Sequence, residues 1–271
     1  MQNTLTFSNK IRIACGAGWA ALAAALPVHA QSAASSEAYG FSAKFVVNGQ
    51  ATLLAPVGQV KGSAPPAYKN ATHAKTDNES LFLFAGTPPI PELVIDALGI
   101  KSQATSSGIA IDSVSATANT AIKTFTLSLI DYPPPPVATA STIPFPEPFL
   151  NINASDISAA ASYSLVFPSA GSTDSQVSFG SLSIGGTLVG SRTLTFSGIA
   201  APNTVLYDSP TVTITLDQEL TRGTVDCINA QGCSFVVGGI EATAIDIALR
   251  DAVLNGTKVS GHILIGRSAA D

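Results

Sequence analysis

Residues 123–129 read KTFTLSL. Phe125, Leu127 and Leu129 fall on one side of an extended chain, and Thr124, Thr126 and Ser128 fall on the other. Side chains alternate across a strand with a period of two, so this stretch is a strand with one face in a core and one in water. The same alternation recurs along the chain. In 40–48, Phe41, Ala43, Phe45 and Val47 oppose Ser42, Lys44 and Asn48. In 211–216, Val212, Ile214 and Leu216 oppose Thr211, Thr213 and Thr215. In 244–250, Ile245, Ile247 and Leu249 oppose Ala244, Asp246, Ala248 and Arg250, which favours a strand there despite the alanines. Further strands are expected at 51–55, 80–85, 93–97, 109–116, 159–167, 176–184, 193–199, 204–207, 234–237 and 259–265, separated by Gly, Asn, Ser and Pro. No stretch reads as a helix of three turns. Many short, closely spaced strands predict an all-β fold, an antiparallel β-sandwich built as one large domain or two packed halves.

The first thirty residues stand apart. Lys10 and Arg12 precede an apolar, Ala-rich run from Ile13 to Leu26, and Val28-His29-Ala30 closes it with a small-x-small pattern. This is the signature of a secretory signal peptide at 1–30, cut after Ala30. The run falls short of the roughly 20 residues of a membrane span, and no later segment supplies one. Residues 31–37 are expected to be a flexible mature N-terminus, with an all-β domain over 38–271. Removing the two signal-peptide cations takes the formal charge from −5 to −7. An acidic chain with few charges and no basic stripe excludes a nucleic-acid partner.

Export places the remaining cysteines, Cys227 and Cys233, in an oxidising compartment. They flank Ile228-Asn229-Ala230-Gln231-Gly232, whose Gly suits a left-handed turn position. The expected structure is a β-hairpin stapled by a Cys227–Cys233 disulfide. A redox pair is disfavoured, since there is no Cys-x-x-Cys and no cation beside either thiol.

One stretch breaks the alternation. Tyr132 is followed by four prolines, and Ile143-Pro144-Phe145-Pro146-Glu147-Pro148-Phe149 ends the segment. Proline removes ladder donors and favours a polyproline II path, so 132–149 is expected to divide two halves, with Phe145 and Phe149 pinning it to a surface. Residues 61–78 read as an exposed loop.

Several segments occur in a recognisable order: AYGFSA at 38–43, VIDALGIKSQA at 94–104 and LNINASDISA at 150–159. They continue with APNTV at 201–205, VTITLDQE at 212–219, ATAIDIAL at 242–249 and GHILIGRSA at 261–269. This order resembles the choice-of-anchor P type of secreted bacterial protein. The resemblance covers most of the mature chain and implies export and all-β character, with surface attachment through a C-terminal anchor. The sequence departs from that last feature. No LPxTG-like motif and no apolar tail with a basic end is present, so release to the periplasm or medium is expected. The resemblance brings no catalytic residues.

The chain offers little for chemistry. The nearest approach to a Gly-x-Ser-x-Gly elbow, at 180–185, is out of register and lies in an alternating strand. Of the two mature histidines, His73 reads as a solvated loop residue and His262 as a strand histidine with its hydrogen bonds satisfied. Acidic residues are scattered singly, and no calcium loop, zinc-ligand cluster or phosphate loop occurs. No catalytic, cofactor or metal residues are assigned. The mature chain has no Trp on which a sugar ring could stack. Tyr68 and Tyr132, read as loop residues, and Phe145 and Phe149 are the candidate ligand contacts. The outward strand faces carry many Ser and Thr, which could meet carbohydrate or ice, although Thr is also a good strand former. The expected function is that of an exported non-enzymatic surface or extracellular protein acting by adhesion or self-association on envelope polymer, polysaccharide or itself. A carbohydrate-binding module and a secreted hydrolase are the alternatives.

Overall fold

A computed structural model describes residues 34–83, 90–108, 113–132, 147–166, 171–222, 226–227, 233–234 and 238–271. The described residues form fifteen strands and one 3-10 turn at Thr187–Val189. The first five strands are β1 (Ala34–Val47), β2 (Gln50–Val57), β3 (Val60–Ala64), β4 (Tyr68–Phe82) and β5 (Ile90–Gly108). Then come β6 (Ser113–Tyr132), β7 (Leu150–Val166), β8 (Ser172–Gly185), β9 (Leu194–Ile199) and β10 (Thr204–Asp208). The chain finishes with β11 (Val212–Arg222), β12 (Asp226–Cys227), β13 (Cys233–Ser234), β14 (Gly239–Leu254) and β15 (Thr257–Ala270).

Two large antiparallel sheets result, beside the two-stranded ladder of β12 and β13. Sheet A has the order β10-β11-β14-β15-β1-β2, with β3 also pairing β1. Sheet B is the meander β4-β5-β6-β7-β8-β9. The strands stack in matching order, β11 over β8, β14 over β7, β15 over β6 and β7, and β1 over β5 and β6. This is an all-β sandwich, as the alternation predicts. The first and last described strands meet as neighbours, and Ser35 and Asp271 exchange two backbone hydrogen bonds of 2.7 and 2.8 Å. Asn48-Gly49 and Asn255-Gly256 turn the β1–β2 and β14–β15 hairpins, all four residues having positive φ. Asn-Gly tolerates that conformation, and its twist matches the strands it joins.

Three expectations change. Residues 61–78 are not a loop but most of β3 and β4. Proline at 65 and 66 only marks the corner where the chain leaves sheet A for sheet B. Strand β1 starts at Ala34, inside the span expected to be flexible, and Ser36 is buried with its Oγ 2.8 Å from Ser106 Oγ of β5. The Pro-rich segment joins β6 to β7, which are adjacent in sheet B with Leu129 opposite Leu150. It therefore connects neighbours within one sheet, and residues 32–271 form one compact unit. Residues 133–146 of that segment lie outside the described residues.

The alternation changes phase partway along the strands. In β1 the buried residues are Phe41, Ala43, Phe45 and Val47 on odd numbers, but Ala34, Ser36 and Ala38 on even ones. In β6 they are Phe125, Leu127 and Leu129, then Val114, Ala116, Ala118, Thr120 and Ile122. Each slip falls where one row of ladder pairing is skipped. In sheet A that row is Gly40, Gly266, Ala244 and Asp217. In sheet B it is Gly99, Lys123, Asp156 and Gly180. Gly99, Asp156, Asp217 and Gly266 have φ between 49° and 71°, which Gly and Asp tolerate better than β-branched residues. The two rows pack on one another: a β-carbon on Gly266 would lie 3.4 Å from Ile157 Cγ2 and 3.0 Å from Ala244 Cβ.

The breaks divide the interior. One end is filled by large side chains, including Phe41 and Phe125 packed edge to face at 5.8 Å between ring centres. The other is richer in Ala, alongside Val114, Tyr163, Leu165 and Ile240, and holds buried hydroxyls that bond across the sheets: Ser268 Oγ donates to Ala159 O at 3.0 Å, and Thr120 Oγ1 to Arg267 O at 2.9 Å. Small residues let the sheets approach, and the approach satisfies the Thr120 and Ser268 hydroxyls, whereas Ser102 Oγ and Thr243 Oγ1 are buried with no hydrogen-bond partner among the described residues.

Candidate functional site

The residue types that could carry chemistry lie on the outer faces. On sheet B, Asn78, Asp96, Thr126, Asn153, Ser183 and Thr195 form one row in register across all six strands. A second row runs Lys69, Thr105, Thr117, Ser162 and Asp174. Neighbouring strands lie about 4.8 Å apart, so the face is a regular array of hydroxyls and amides interspersed with single Asp and Lys residues. Hydroxyl pairs bridge strands within it, Ser107 to Ser115 at 2.7 Å, Ser164 to Ser172 at 2.8 Å and Ser155 to Ser181 at 2.9 Å. The ladder break crosses this face as a shallow trough of about 370 Å³ lined by Gly99, Lys101, Ala121, Lys123, Asp156 and Ser158.

On sheet A, Asp246 is buried and accepts a 2.9 Å hydrogen bond from His262 Nδ1 on the neighbouring strand. That bond is the main reason the imidazole pKa is raised above its ordinary value; burial opposes it. The pair looks like a general-base dyad, but the adjacent serines are engaged elsewhere. Ser260 Oγ donates to Asp251 Oδ1 at 2.9 Å, and Ser42 Oγ to Tyr39 Oη at 3.3 Å. Further along the sheet, Arg267 makes a two-pronged pair with Glu241, at 2.5 and 2.7 Å, and meets Glu37 at 3.3 Å. Its guanidinium also lies over the Tyr39 ring. Burial works against its charge, but these partners outweigh burial and hold it above its usual range. This network ties β1, β14 and β15 together.

Of the four candidate ligand residues, the structure describes the side chains of Tyr68 and Phe149. Tyr68 and Tyr132 are strand residues, at the start of β4 and the end of β6. The Tyr68 ring covers Gly62, where a β-carbon would overlap it, and packs against Ala38, Val60, Ala104 and Ala118. It is half-buried packing, not an open platform. Phe149 packs against the main core and its N–H donates to Leu129 O at 2.8 Å, consistent with a pinning role. The Tyr132 side chain, Phe145 and the His73 side chain lie outside the described residues. Cys227 is directly opposite Cys233 in the β12–β13 ladder, but the two sulfurs lie outside the described residues. Among the described residues, no group of three or more His, Cys, Asp or Glu is placed to hold a metal ion, and no helix is long and apolar enough to cross a membrane.

Sequence reasoning found the Thr and Ser faces but missed the trough and the Asp246–His262 pair. The trough has a signal in the sequence, the phase slip around Lys123 and Asp156. The pair has none, because sixteen residues and a hairpin separate its members. Comparison with protein families, with characterised proteins and with solved structures finds no match for this chain.

Proposed function

We propose that this chain is an exported, non-enzymatic surface or extracellular protein that works by adhesion, with the outer face of sheet B as its contact surface. The observation that carries the reading is that in-register array of hydroxyls and amides across six strands. Such a face offers donors and acceptors at a fixed spacing to a hydroxyl-rich polymer lying across the strands. The signal-peptide pattern and the resemblance to choice-of-anchor P proteins support export. The reading is tested by co-sedimenting the mature protein with isolated envelopes and insoluble polysaccharides. Wild type should pellet with at least one polymer. A Thr117→Lys, Thr126→Lys double variant, altered only on exposed positions, should lose binding by about tenfold or more. Equal binding by the variant, or none by wild type, would refute the reading.

Self-association is the second reading, favoured by edge strands left unpaired on one side among the described residues. The edge strands β9 and β10 expose Ile199 (66%) and Val205 (57%), and edge strand β2 exposes Leu53 (63%). Exposed edges with apolar side chains are templates for pairing with another copy.

A further inference from the structure

The outer face of sheet A differs from that of sheet B. Near its β2 edge, Val46, Leu53, Pro56 and Leu264 line an open, mostly apolar groove of about 530 Å³. That volume lies in the range of small-ligand sites, roughly 300–1,000 Å³. Lys44 and His262 stand in the same wall, with Lys44 between Leu53 and His262 in one cross-strand row. Lys44 has no ion pair among the described residues. His262 has its Nδ1 committed to the buried Asp246, and no hydrogen bond engages its Nε2 among the described residues. The carboxylate thus orients the ring and favours its charged form.

An apolar floor beside a fixed cation and a protonatable imidazole is complementary to one chemistry, an organic anion with an apolar body. A neutral glycan would leave the floor unused, and an apolar cation would be repelled by Lys44. We propose that this groove binds a small anionic amphiphile, its apolar body on Val46, Leu53, Pro56 and Leu264 and its anionic head between Lys44 and His262. The site uses the opposite face of the sandwich from the polymer surface, so either can fail without the other.

The test uses the whole mature chain with 1-anilinonaphthalene-8-sulfonate as fluorescent reporter. Dodecanoate and dodecyltrimethylammonium, equal in chain length and opposite in charge, are the competitors. Dodecanoate should displace the reporter and the cation should not. Lys44→Met keeps the apolar stem and removes the charge, while Leu53→Asp spoils the floor. Both positions are exposed, so the variants should keep the wild-type melting curve, and each should weaken dodecanoate binding about tenfold. The charged groups facing the imidazole are Asp246 and Arg250 from β14 and Lys44 from β1; β2 carries none. Protonation adds positive charge to the site, so dodecanoate should bind more tightly as pH falls from about 8.5 to about 6, and His262→Gln should flatten that dependence. The proposal is overturned by no displacement at about 1 mM dodecanoate, equal displacement by the cation, or unchanged affinity in folded Lys44→Met.

Discussion

At Asp217 the backbone turns left-handed, with φ 49°, and buries a carboxyl that is 1% exposed. Its Oδ1 has no hydrogen-bond partner among the described residues. Burial first, and Glu219 second, raise its pKa to about 6. In the unfolded chain an Asp titrates near 3.9, so the folded state binds the extra proton between those values and loses stability as pH rises through about 4 to 6. Asp217→Asn keeps a residue that tolerates the left-handed backbone and removes the charge. The variant should melt higher than wild type at about pH 7.5, with the gain vanishing near pH 4. An equal gain at both pH values would show that the carboxyl charge is not the cause. His262 has the same sign over a higher pH window. Its raised pKa means that pairing with Asp246 stabilises the fold fully below the unfolded value of about 6.5, and that this is lost as pH rises through the folded value. His262→Gln should therefore flatten the fall in melting temperature across that window. A slope unchanged in the variant would assign the fall to another group.

At the scale of the strand, the ladder break decides what each position accepts. Ahead of it β6 contributes Ala116 and Ala118 to the narrow end of the sandwich; after it, Phe125 and Leu127 fill the wide end. Ala118→Leu adds apolar volume where the sheets are close. It should destabilise by about 1–3 kcal/mol by overpacking, whereas Leu127→Ala should cost about 2–5 kcal/mol by leaving a cavity. Urea melts of both variants check this, and a stabilising Ala118→Leu would mean that the narrow end has unfilled space. The break was legible in the residues: AYGFSA, VIDALGIKSQA, LNINASDISA, VTITLDQE, ATAIDIAL and GHILIGRSA each contain one member of the two rows. These six segments share a structural task, turning the pleat over. Reading strands only as short alternating runs hid it, because a run ends where its phase slips although the strand continues. That is why 109–116 and 123–129 read as separate strands although 113–116 and 123–129 both belong to β6; residues 109–112 lie outside the described residues.

At the scale of the molecule, both sheets end in edge strands with no further strand paired to them among the described residues, and the β9–β10 connection carries the chain between them. There Asn203 N–H donates to Asp217 O at 2.7 Å, and Asn203 Oδ1 accepts from Glu219 N–H at 3.0 Å, so the corner is fastened to β11. Exposed apolar residues flank this corner. If the edges mediate self-association, Val205→Lys should lower the association seen by sedimentation at high concentration while leaving the melting temperature within about 2–4 °C of wild type. A wild-type protein that stays monomeric, or a variant that associates equally, would reject edge pairing.

The residues alone settled that this chain is all-β, since a period of two admits only strands, and they placed most of the strands. They also carried the signal-peptide pattern, which rests on composition and order. Strand partners were not legible. Pairing of β1 with β15, or of β14 with β1 through β15, depends on which apolar faces close over one another, and alternation is the same for every partner. Local reading also misjudged residues 61–78, where polar and proline-rich composition suggested a loop. Backbone hydrogen bonds to β1 and β5 hold that stretch extended whatever its side chains prefer. Only the tertiary structure sets Lys44 beside His262, because β1 and β15 come from opposite ends of the described chain and meet through the sheet, whereas Asp246–His262 and Lys44–Leu53 each lie across one hairpin.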